Sequence, residues 1–153
     1  MPIFGGIHDA ALTFLLDRTS TVAVAKGDYF FREGDQASAM FVLEEGRVAV
    51  LKAWQGRDYL LRYLETGDCF GEMALIDLGR RSASVCAVTD CSAIEISVAS
   101  LYELYQQDPT QFAMIHMNLE RELSRRLREV NEQLFQARMQ AGLIGEEACF
   151  RPL

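Results

Sequence analysis

Histidine and cysteine, the residues that most often hold transition metals, are scarce in this sequence. The chain of 153 residues has two histidines, His8 and His116, and four cysteines that form no C-x-x-C pair: Cys69, Cys86, Cys91 and Cys149. Neither histidine lies at metal-ligand spacing from a cysteine, which argues against zinc and iron–sulphur sites. We expect the first three cysteines to be buried thiols that pack as small hydrophobic side chains, and the fourth to lie in a C-terminal tail.

Positive charge and long apolar runs are also lacking. Fifteen basic against 22 acidic side chains give a net charge of -7, which repels the phosphates of nucleic acids and of anionic lipids. No apolar run approaches the roughly 20 residues needed to span a bilayer, and the N-terminal segment lacks the basic start of a secretory signal. The composition therefore predicts a cytoplasmic protein that binds neither DNA nor a membrane.

The hydrophobic pattern from Ser20 to Ser97 has a period of two, which predicts β-strands. Short β-rich runs alternate with turns, and most of these turns carry glycine beside charged or amide residues. The β-rich runs are TVAVA, DYFF, AMFVLE, RVAVLKAW, DYLLRYLE, SASVCAV and CSAIEIS. A length of 153 residues fits one domain with a full core. The sequence therefore predicts a mainly β fold, an antiparallel β-roll or jelly roll of about eight strands, with flanking helices that cover some strands on their second face.

Three helices are predicted to flank the roll. A short amphipathic helix opens the chain at residues 8–17, and a second covers Val98–Gln107 behind a Ser97 cap. Asp108 and Pro109 begin a long C-terminal helix over 109–139, which has no internal glycine or proline and is about 45 Å long. We expect the first apolar residues of this helix to pack on the roll.

The far half of the long helix keeps a narrow apolar seam among charged residues. Leucine and valine recur there at alternating spacings of four and three: Leu123, Leu127, Val130 and Leu134. Such a seam is typical of a contact between two helices. We therefore predict a parallel homodimer formed through the helix 109–139, followed by a short tail over 140–153.

The segment 67–85, which reads GDCFGEMALIDLGRRSASV, collects groups that favour a small anion. Gly71 permits a tight turn, and the following residues 72–76 can form one helical turn whose free N–H groups favour a phosphate. Arg81 adds a guanidinium fork, while Ser82 adds a hydroxyl and Ala83 a backbone N–H. Glu72 cannot help to bind phosphate, but it can accept a hydrogen bond from a sugar hydroxyl. The set therefore indicates a ribose phosphate.

These residues carry a resemblance to a known family. Phe70–Leu75 reads FGEMAL and Arg81–Ala83 reads RSA, and the segment resembles the phosphate-binding cassette of the cyclic nucleotide-binding domain found in catabolite activators, kinase regulatory subunits and gated channels. The resemblance runs from about residue 7 to residue 136 and implies a single domain over 1–139 with its cassette at 67–85.

The resemblance also implies roles for individual residues. Glu72 is expected to hold the ribose 2′-hydroxyl, and Arg81 to hold the cyclic phosphate. Ser82 and Ala83 are expected to contact the phosphate oxygens. Gly71 and Ala74 are expected to give backbone contacts. The complete set expected to bind phosphate and ribose also includes Met73 and consists of Gly71, Glu72, Met73, Ala74, Arg81, Ser82 and Ala83. We expect the Arg81 side chain to be mostly exposed, so that its loss leaves the fold intact.

Recognition of the base is assigned by position only. In the family it comes from strand side chains and from the long helix closing as a lid, which suggests Val50, Leu61 and Tyr63 for an apolar wall and Arg125 or Arg126 for the lid. Leu61 and Tyr63 could equally be ordinary core, and the two arginines a solvated helix face. Serine after the cassette arginine occurs in cAMP binders, whereas threonine there goes with cGMP, so the resemblance favours cAMP.

The predicted function is that of a non-enzymatic receptor without a cofactor, which binds a cyclic purine nucleotide and signals to an unidentified protein through its long helix and dimer surface. The 14 residues after Met139 are too few for a helix-turn-helix, so we expect no direct contact with DNA. One alternative is a degenerate roll used only for docking or dimerisation. A cupin-type metalloenzyme would need histidines inside the roll, and a redox or haem sensor has only Cys69 near the cassette in its favour.

Overall fold

A computed structural model describes residues 1–142, and Cys149 with the remainder of the predicted tail lies outside the described residues. A 3₁₀ turn at Pro2–Phe4 precedes four helices: α1 Asp9–Leu16, α2 Met73–Asp77, α3 Val98–Gln107 and α4 Pro109–Gln140. Eight strands make up the roll: β1 Ser20–Val24, β2 Tyr29–Phe31, β3 Ala39–Glu45, β4 Arg47–Trp54, β5 Arg57–Glu65, β6 Cys69–Phe70, β7 Ser84–Ala87 and β8 Cys91–Ser97. The expectation of about eight strands is confirmed.

The strands form two four-stranded antiparallel sheets, in the orders β1-β8-β3-β6 and β2-β7-β4-β5. Seven of the strands coincide with the β-rich runs of the sequence. The eighth, β6, has two residues that pair with Phe41 and Val42 of β3, and it is too short to give an alternating pattern. The predicted antiparallel roll is therefore the observed fold.

The hydrophobic core lies between the two sheets. Both sheets contribute buried side chains to one cluster: Phe41, Leu43, Val48, Leu64, Phe70, Val85, Ala87, Cys91 and Ala93. The first five residues of β3 are buried on both faces, as predicted for a strand that helices cover. Cys69 and Cys91 are buried and Cys86 is half-buried, all three as thiols outside disulfides, and burial raises the pKa of Cys86.

Capping residues begin α3 and α4 at the predicted positions. The Ser97 hydroxyl accepts a hydrogen bond of 3.0 Å from the Ser100 N–H, and an Asp108 carboxylate oxygen accepts one of 3.2 Å from the Gln111 N–H. Each cap satisfies a backbone donor that the first helical turn leaves unpaired. An ion pair of 2.7 Å between Arg18 and Glu103 connects the region after α1 with α3.

The chain divides into two compact units within α4, and we describe each by itself. The first, Met1–Asn118, contains the roll, α1 to α3 and the start of α4. The second begins at Leu119, and its helical part ends at Gln140, one residue beyond the predicted end. Apolar side chains of this second unit are exposed, among them Leu127, Val130 and Leu134. Over residues 1–142 no helix combines the length and the apolarity needed to cross a membrane.

Candidate functional site

The predicted cassette lies between β6 and β7 and contains α2. Gly71 directly follows β6 and has a φ of +74°, which a residue with a side chain adopts only with strain. A Cβ on Gly71 would lie 2.5 Å from a guanidinium nitrogen of Arg81 and 3.3 Å from the Phe31 ring. Glycine is therefore required at this turn for its backbone conformation and for the space it leaves to Arg81.

Arg81 is buried, with 8% of its surface exposed, which corrects the expectation that this side chain is mostly exposed. One terminal nitrogen donates a hydrogen bond of 2.7 Å to the Ala39 carbonyl, and the other donates one of 3.1 Å to the Gly71 carbonyl. The sequence pattern could not show this, because an arginine in a glycine-rich loop is usually solvated. Here the backbone of β3 and of the cassette supplies acceptors that allow the guanidinium to be buried.

An aromatic ring forms one wall of the arginine site. The guanidinium carbon of Arg81 lies 4.0 Å from the centre of the Phe31 ring and 5.8 Å from that of Phe41, distances at which cation–π attraction is favourable. Phe31 packs in turn against Phe41 and Phe70, with ring centres 6.0 and 6.1 Å apart. The core of the roll therefore fixes the position of the Arg81 head group.

The electrostatics of the site leave Arg81 with unused donor capacity. Burial lowers the pKa of Arg81 from its ordinary value, while the negative charges of Asp35, Glu95 and Glu72 act in the opposite direction. The guanidinium stays charged, because its ordinary pKa is so high. Its Nε is buried and has no hydrogen-bond acceptor among residues 1–142. A guanidinium has five N–H donors, so the side chain can still serve an anion.

The other predicted phosphate and ribose residues lie in the same cassette, before and after α2 and within it. Glu72 is buried, with 5% of its surface exposed, and Ala74 and Ala83 are buried too. Met73 is exposed, and its sulphur accepts a weak hydrogen bond of 3.7 Å from the Ser82 hydroxyl. Arg80, the neighbouring cation, is exposed and donates to the Gly34 carbonyl instead.

The residues suggested for the apolar wall do not share one face of their sheet. Val50 packs against the core cluster and pairs with Arg62. Tyr63 pairs with Ala49, the next position along β4, so it lies on the opposite face, where the Arg47 guanidinium stands 3.9 Å from its ring centre. Leu61 is at the irregularity in the β4–β5 register and is 56% exposed. Of the three, Val50 therefore faces the interior of the roll.

Arg125 and Arg126 lie in the second unit, where both contact carboxylates of their own helix. Arg125 pairs with Glu122 at 2.7 Å and with Glu129 at 2.5 Å, and Arg126 pairs with Glu122 at 2.8 Å. Partial burial opposes the ionisation of Glu122, but its contacts with the two arginines outweigh that effect and lower its pKa. A contact of either arginine with the base stays a prediction.

Several residues beside the cassette were not found from the sequence. The Lys52 ammonium donates a hydrogen bond of 2.7 Å to the Ser82 carbonyl and forms an ion pair of 2.5 Å with the Glu33 carboxylate. The Glu33 N–H donates a hydrogen bond of 2.8 Å to the Ser84 hydroxyl. Phe31 was also missed, because it reads as ordinary strand. The one available signal was Lys52, a charged side chain that continues the alternation of Val48 and Val50 along β4.

Neither histidine belongs to a strand. His8 precedes α1, and His116 is in α4, where its ring centre lies 4.3 Å from that of Phe112. Within residues 1–142 no group of three or more histidine, cysteine, aspartate or glutamate side chains is arranged to hold a metal ion. Nothing in this part of the chain therefore favours the cupin-type alternative.

Comparison with known proteins decides the family. The sequence model described as "Cyclic nucleotide-binding domain" matches residues 21–108, more than half of the chain. The chain belongs to the cyclic nucleotide-binding domain family. The match includes the whole roll from β2 to β8 and the complete cassette 67–85, so the resemblance inferred from the FGEMAL and RSA motifs is confirmed.

The relatives found include regulators and a kinase. A CRP-like cAMP-activated global transcriptional regulator of Mycobacterium tuberculosis is 29% identical over 133 residues, 86% of this chain and 58% of the relative. The cGMP-dependent protein kinase 2 of Homo sapiens is 35% identical over 103 residues, 61% of this chain and 14% of the kinase. The crystal structure of the Thermus thermophilus catabolite activator protein matches with a TM-score of 0.77 and 29% identity, covering 90% of this chain and 63% of that one.

The cyclic nucleotide-binding domain described here is therefore homologous to parts of longer proteins. The chain spans less than two thirds of the length of each of these relatives. The family and the roll are shared with them. What the chain binds, and what it regulates, is argued below from its own residues.

Proposed function

We propose that this chain is a receptor for a cyclic purine nucleotide, whose phosphate is held by Arg81, Ser82 and Ala83 and whose ribose is held by Glu72. The observation that carries the proposal is the Arg81 guanidinium. It is buried, charged and fixed on two backbone carbonyls, and its Nε has no acceptor among the described residues. A buried donor without an acceptor costs about 1–3 kcal/mol, and an anionic oxygen would remove that cost.

The side chains next to Arg81 fit a ribose phosphate better than a free phosphate. Glu72 is buried one residue after Gly71, and a carboxylate would repel a phosphate while accepting a hydrogen bond from a sugar hydroxyl. Among residues 1–142 the Ser82 hydroxyl donates to the weak acceptor of Met73, and a phosphate oxygen would replace this hydrogen bond with a stronger one. Gly71 and Ala74 complete the proposed set with backbone contacts.

We propose cAMP as the preferred ligand over cGMP. Both a cAMP-activated regulator and a cGMP-dependent kinase are among the relatives, so the family alone does not choose between them. The preference rests on Ser82, since serine after the cassette arginine occurs in cAMP binders of the family, whereas threonine there goes with cGMP. On the apolar wall we propose Val50 as the base contact, because it faces the interior of the roll.

We further propose that ligand binding is read out through α4 and a homodimer. The helix runs without interruption from Pro109 in the first unit to Gln140 in the second. In the second unit Leu127, Val130 and Leu134 are 44–59% exposed at alternating spacings of three and four, and a second copy of the helix would bury such a seam. The output would be a changed dimer surface for a protein partner, in a cytoplasmic receptor without catalytic activity.

Calorimetric titration of nucleotide-free protein with cAMP, cGMP and 5′-AMP tests the proposal. We expect micromolar or tighter binding of cAMP, weaker binding of cGMP, and weak binding of 5′-AMP, whose phosphate is dianionic and not part of a ring. Absence of binding by both cyclic nucleotides to folded protein would contradict the proposal. It would favour the alternative of a roll that serves only for docking or dimerisation.

A further inference from the structure

Lys52 connects strand β4 to the cassette. Its ammonium donates a hydrogen bond of 2.7 Å to the Ser82 carbonyl and lies 2.5 Å from a Glu33 carboxylate oxygen. The side chain is 50% exposed. An exposed lysine usually keeps its ammonium in bulk water, so its placement on a backbone carbonyl of the proposed phosphate site needs an explanation.

Glu33 fixes the position of that ammonium. The second oxygen of its carboxylate accepts a hydrogen bond of 3.0 Å from the Ala53 N–H, while the Glu33 N–H donates a hydrogen bond of 2.8 Å to the Ser84 hydroxyl. The hydrogen bonds from Lys52 and from the Ala53 backbone lower the pKa of Glu33, which keeps the carboxylate ionised. Glu33 therefore joins the turn after β2, the end of β4 and the start of β7 around one lysine.

The geometry of the peptide bond transmits this contact to the site. The Ser82 carbonyl and the Ala83 N–H belong to one planar peptide unit, and residues 1–142 contain no cis peptide bond. In a planar trans peptide the C=O and the N–H point in opposite directions. A cation held on the Ser82 oxygen therefore fixes the direction of the Ala83 N–H. It also polarises the peptide, which strengthens that N–H as a donor.

We propose that Lys52, held by Glu33, is a positioning residue that aims the Ala83 N–H at one exocyclic oxygen of the cyclic phosphate. The inference rests on the proposed function. Lys52 acts through the Ser82–Ala83 peptide, since two of its three N–H donors are held by the Ser82 carbonyl and the Glu33 carboxylate.

The test uses Lys52→Met, which removes the ammonium and keeps most of the alkyl chain, and Glu33→Gln, which removes the charge that holds it. Lys26→Met is the matched control, since Lys26 is exposed and is the only other lysine in the sequence. Each variant is titrated with cAMP and with the two phosphorothioate diastereomers, in which sulphur replaces one or the other exocyclic oxygen. Melting temperatures show whether the variants are folded, and we expect a change below roughly 4 °C.

We expect Lys52→Met to weaken cAMP binding about tenfold and to reduce the ratio of affinities for the two diastereomers. The Ala83 N–H distinguishes oxygen from sulphur at one position only. Glu33→Gln should have the same effect with smaller size, and Lys26→Met should have none. A general loss of charge or of stability would weaken both diastereomers equally.

The outcomes separate this inference from the proposed function. If the wild-type protein binds neither cyclic nucleotide, the proposed function fails and the role of Lys52 fails with it. If the wild type binds but Lys52→Met retains its affinity, only the positioning role is overturned. The same holds if Lys52→Met weakens both diastereomers by one factor. Should Lys52→Met fail to fold, Glu33→Gln decides by the same ratio.

Discussion

Replacement of Arg81 by alanine should reduce both the stability of the roll and its affinity for the ligand. The variant leaves the Ala39 carbonyl without its donor in a buried position and the Gly71 carbonyl without one at a partly buried position. Each lost bond costs about 1–3 kcal/mol, and loss of the contact with the Phe31 ring adds about 1 kcal/mol.

Part of this cost is offset. Burial of the Arg81 charge is itself unfavourable, as the lowered pKa of the side chain indicates, and alanine removes that penalty. We therefore expect a net loss of about 2–4 kcal/mol, which is smaller than the usual 5–15 kcal/mol stability of a domain. The variant should stay folded at 25 °C and melt roughly 5 to 15 °C lower than the wild type.

The loss of affinity should be larger than the loss of stability can explain. The guanidinium supplies charge-assisted hydrogen bonds to the phosphate, so cAMP binding to Arg81→Ala should weaken roughly 100-fold or more. Arg81→Lys keeps the charge but not the fork, and its affinity should fall between those of the wild type and the alanine variant.

Thermal denaturation and calorimetric titration of the three proteins, each freed of nucleotide, measure the two effects separately. An Arg81→Ala protein that binds cAMP within about threefold of the wild type would refute the role of Arg81 in holding the phosphate. An unchanged melting temperature would refute the accounting of its buried contacts. The order of the lysine variant is a further check on the importance of bidentate geometry.

Three further predictions concern the turn, the dimer and the pH dependence. Gly71→Ala should weaken cAMP binding by more than about tenfold in the same titration, because the new Cβ would lie 2.5 Å from a guanidinium nitrogen of Arg81. Gly27→Ala is the control, since Gly27 also has a positive φ but a Cβ there would meet nothing within 4 Å. This control should only lower the melting temperature. Leu134→Arg should convert a dimer of twice 17.2 kDa to a monomer in analytical ultracentrifugation. Glu132→Gln makes the same change in charge beside the seam and should stay dimeric. A monomeric wild type would contradict the proposed interface. The pKa of Glu122 is below its ordinary value of 4.5. The contribution of Glu122 to stability is therefore complete above pH 4.5 and is lost as the pH falls through the lower pKa of the folded state. Glu122→Gln should flatten the dependence of the melting temperature on pH over this acidic range, and an unchanged profile would refute the effect.

The roll and its helices were accessible from the sequence because they depend on local patterns. Alternation of apolar residues located seven strands, and Ser97 and Asp108 located the starts of α3 and α4. Strand β6 was missed because a strand of two residues cannot show a period of two. It exists because β3 pairs with β8 along one edge and offers its other edge at Phe41 and Val42.

The environment of the candidate site was less accessible, since it depends on which distant backbone atoms meet. The FGEMAL and RSA motifs located the cassette, but the burial of Arg81 depends on the Ala39 carbonyl, 42 residues away. The contact of Lys52 with Ser82 likewise joins strand β4 to the cassette, a contact that neither segment predicts. The face on which Tyr63 lies follows from the β4–β5 register, which the sequence alone does not fix.

A crystal structure of the chain with bound cAMP would test the central claim most directly. We predict the cyclic phosphate within hydrogen-bonding distance of the Arg81 guanidinium, the Ser82 hydroxyl and the Ala83 N–H, and the ribose 2′-hydroxyl on Glu72. A nucleotide bound elsewhere on the chain, with none of these residues touching its phosphate, would contradict the claim that the cassette 67–85 is the binding site.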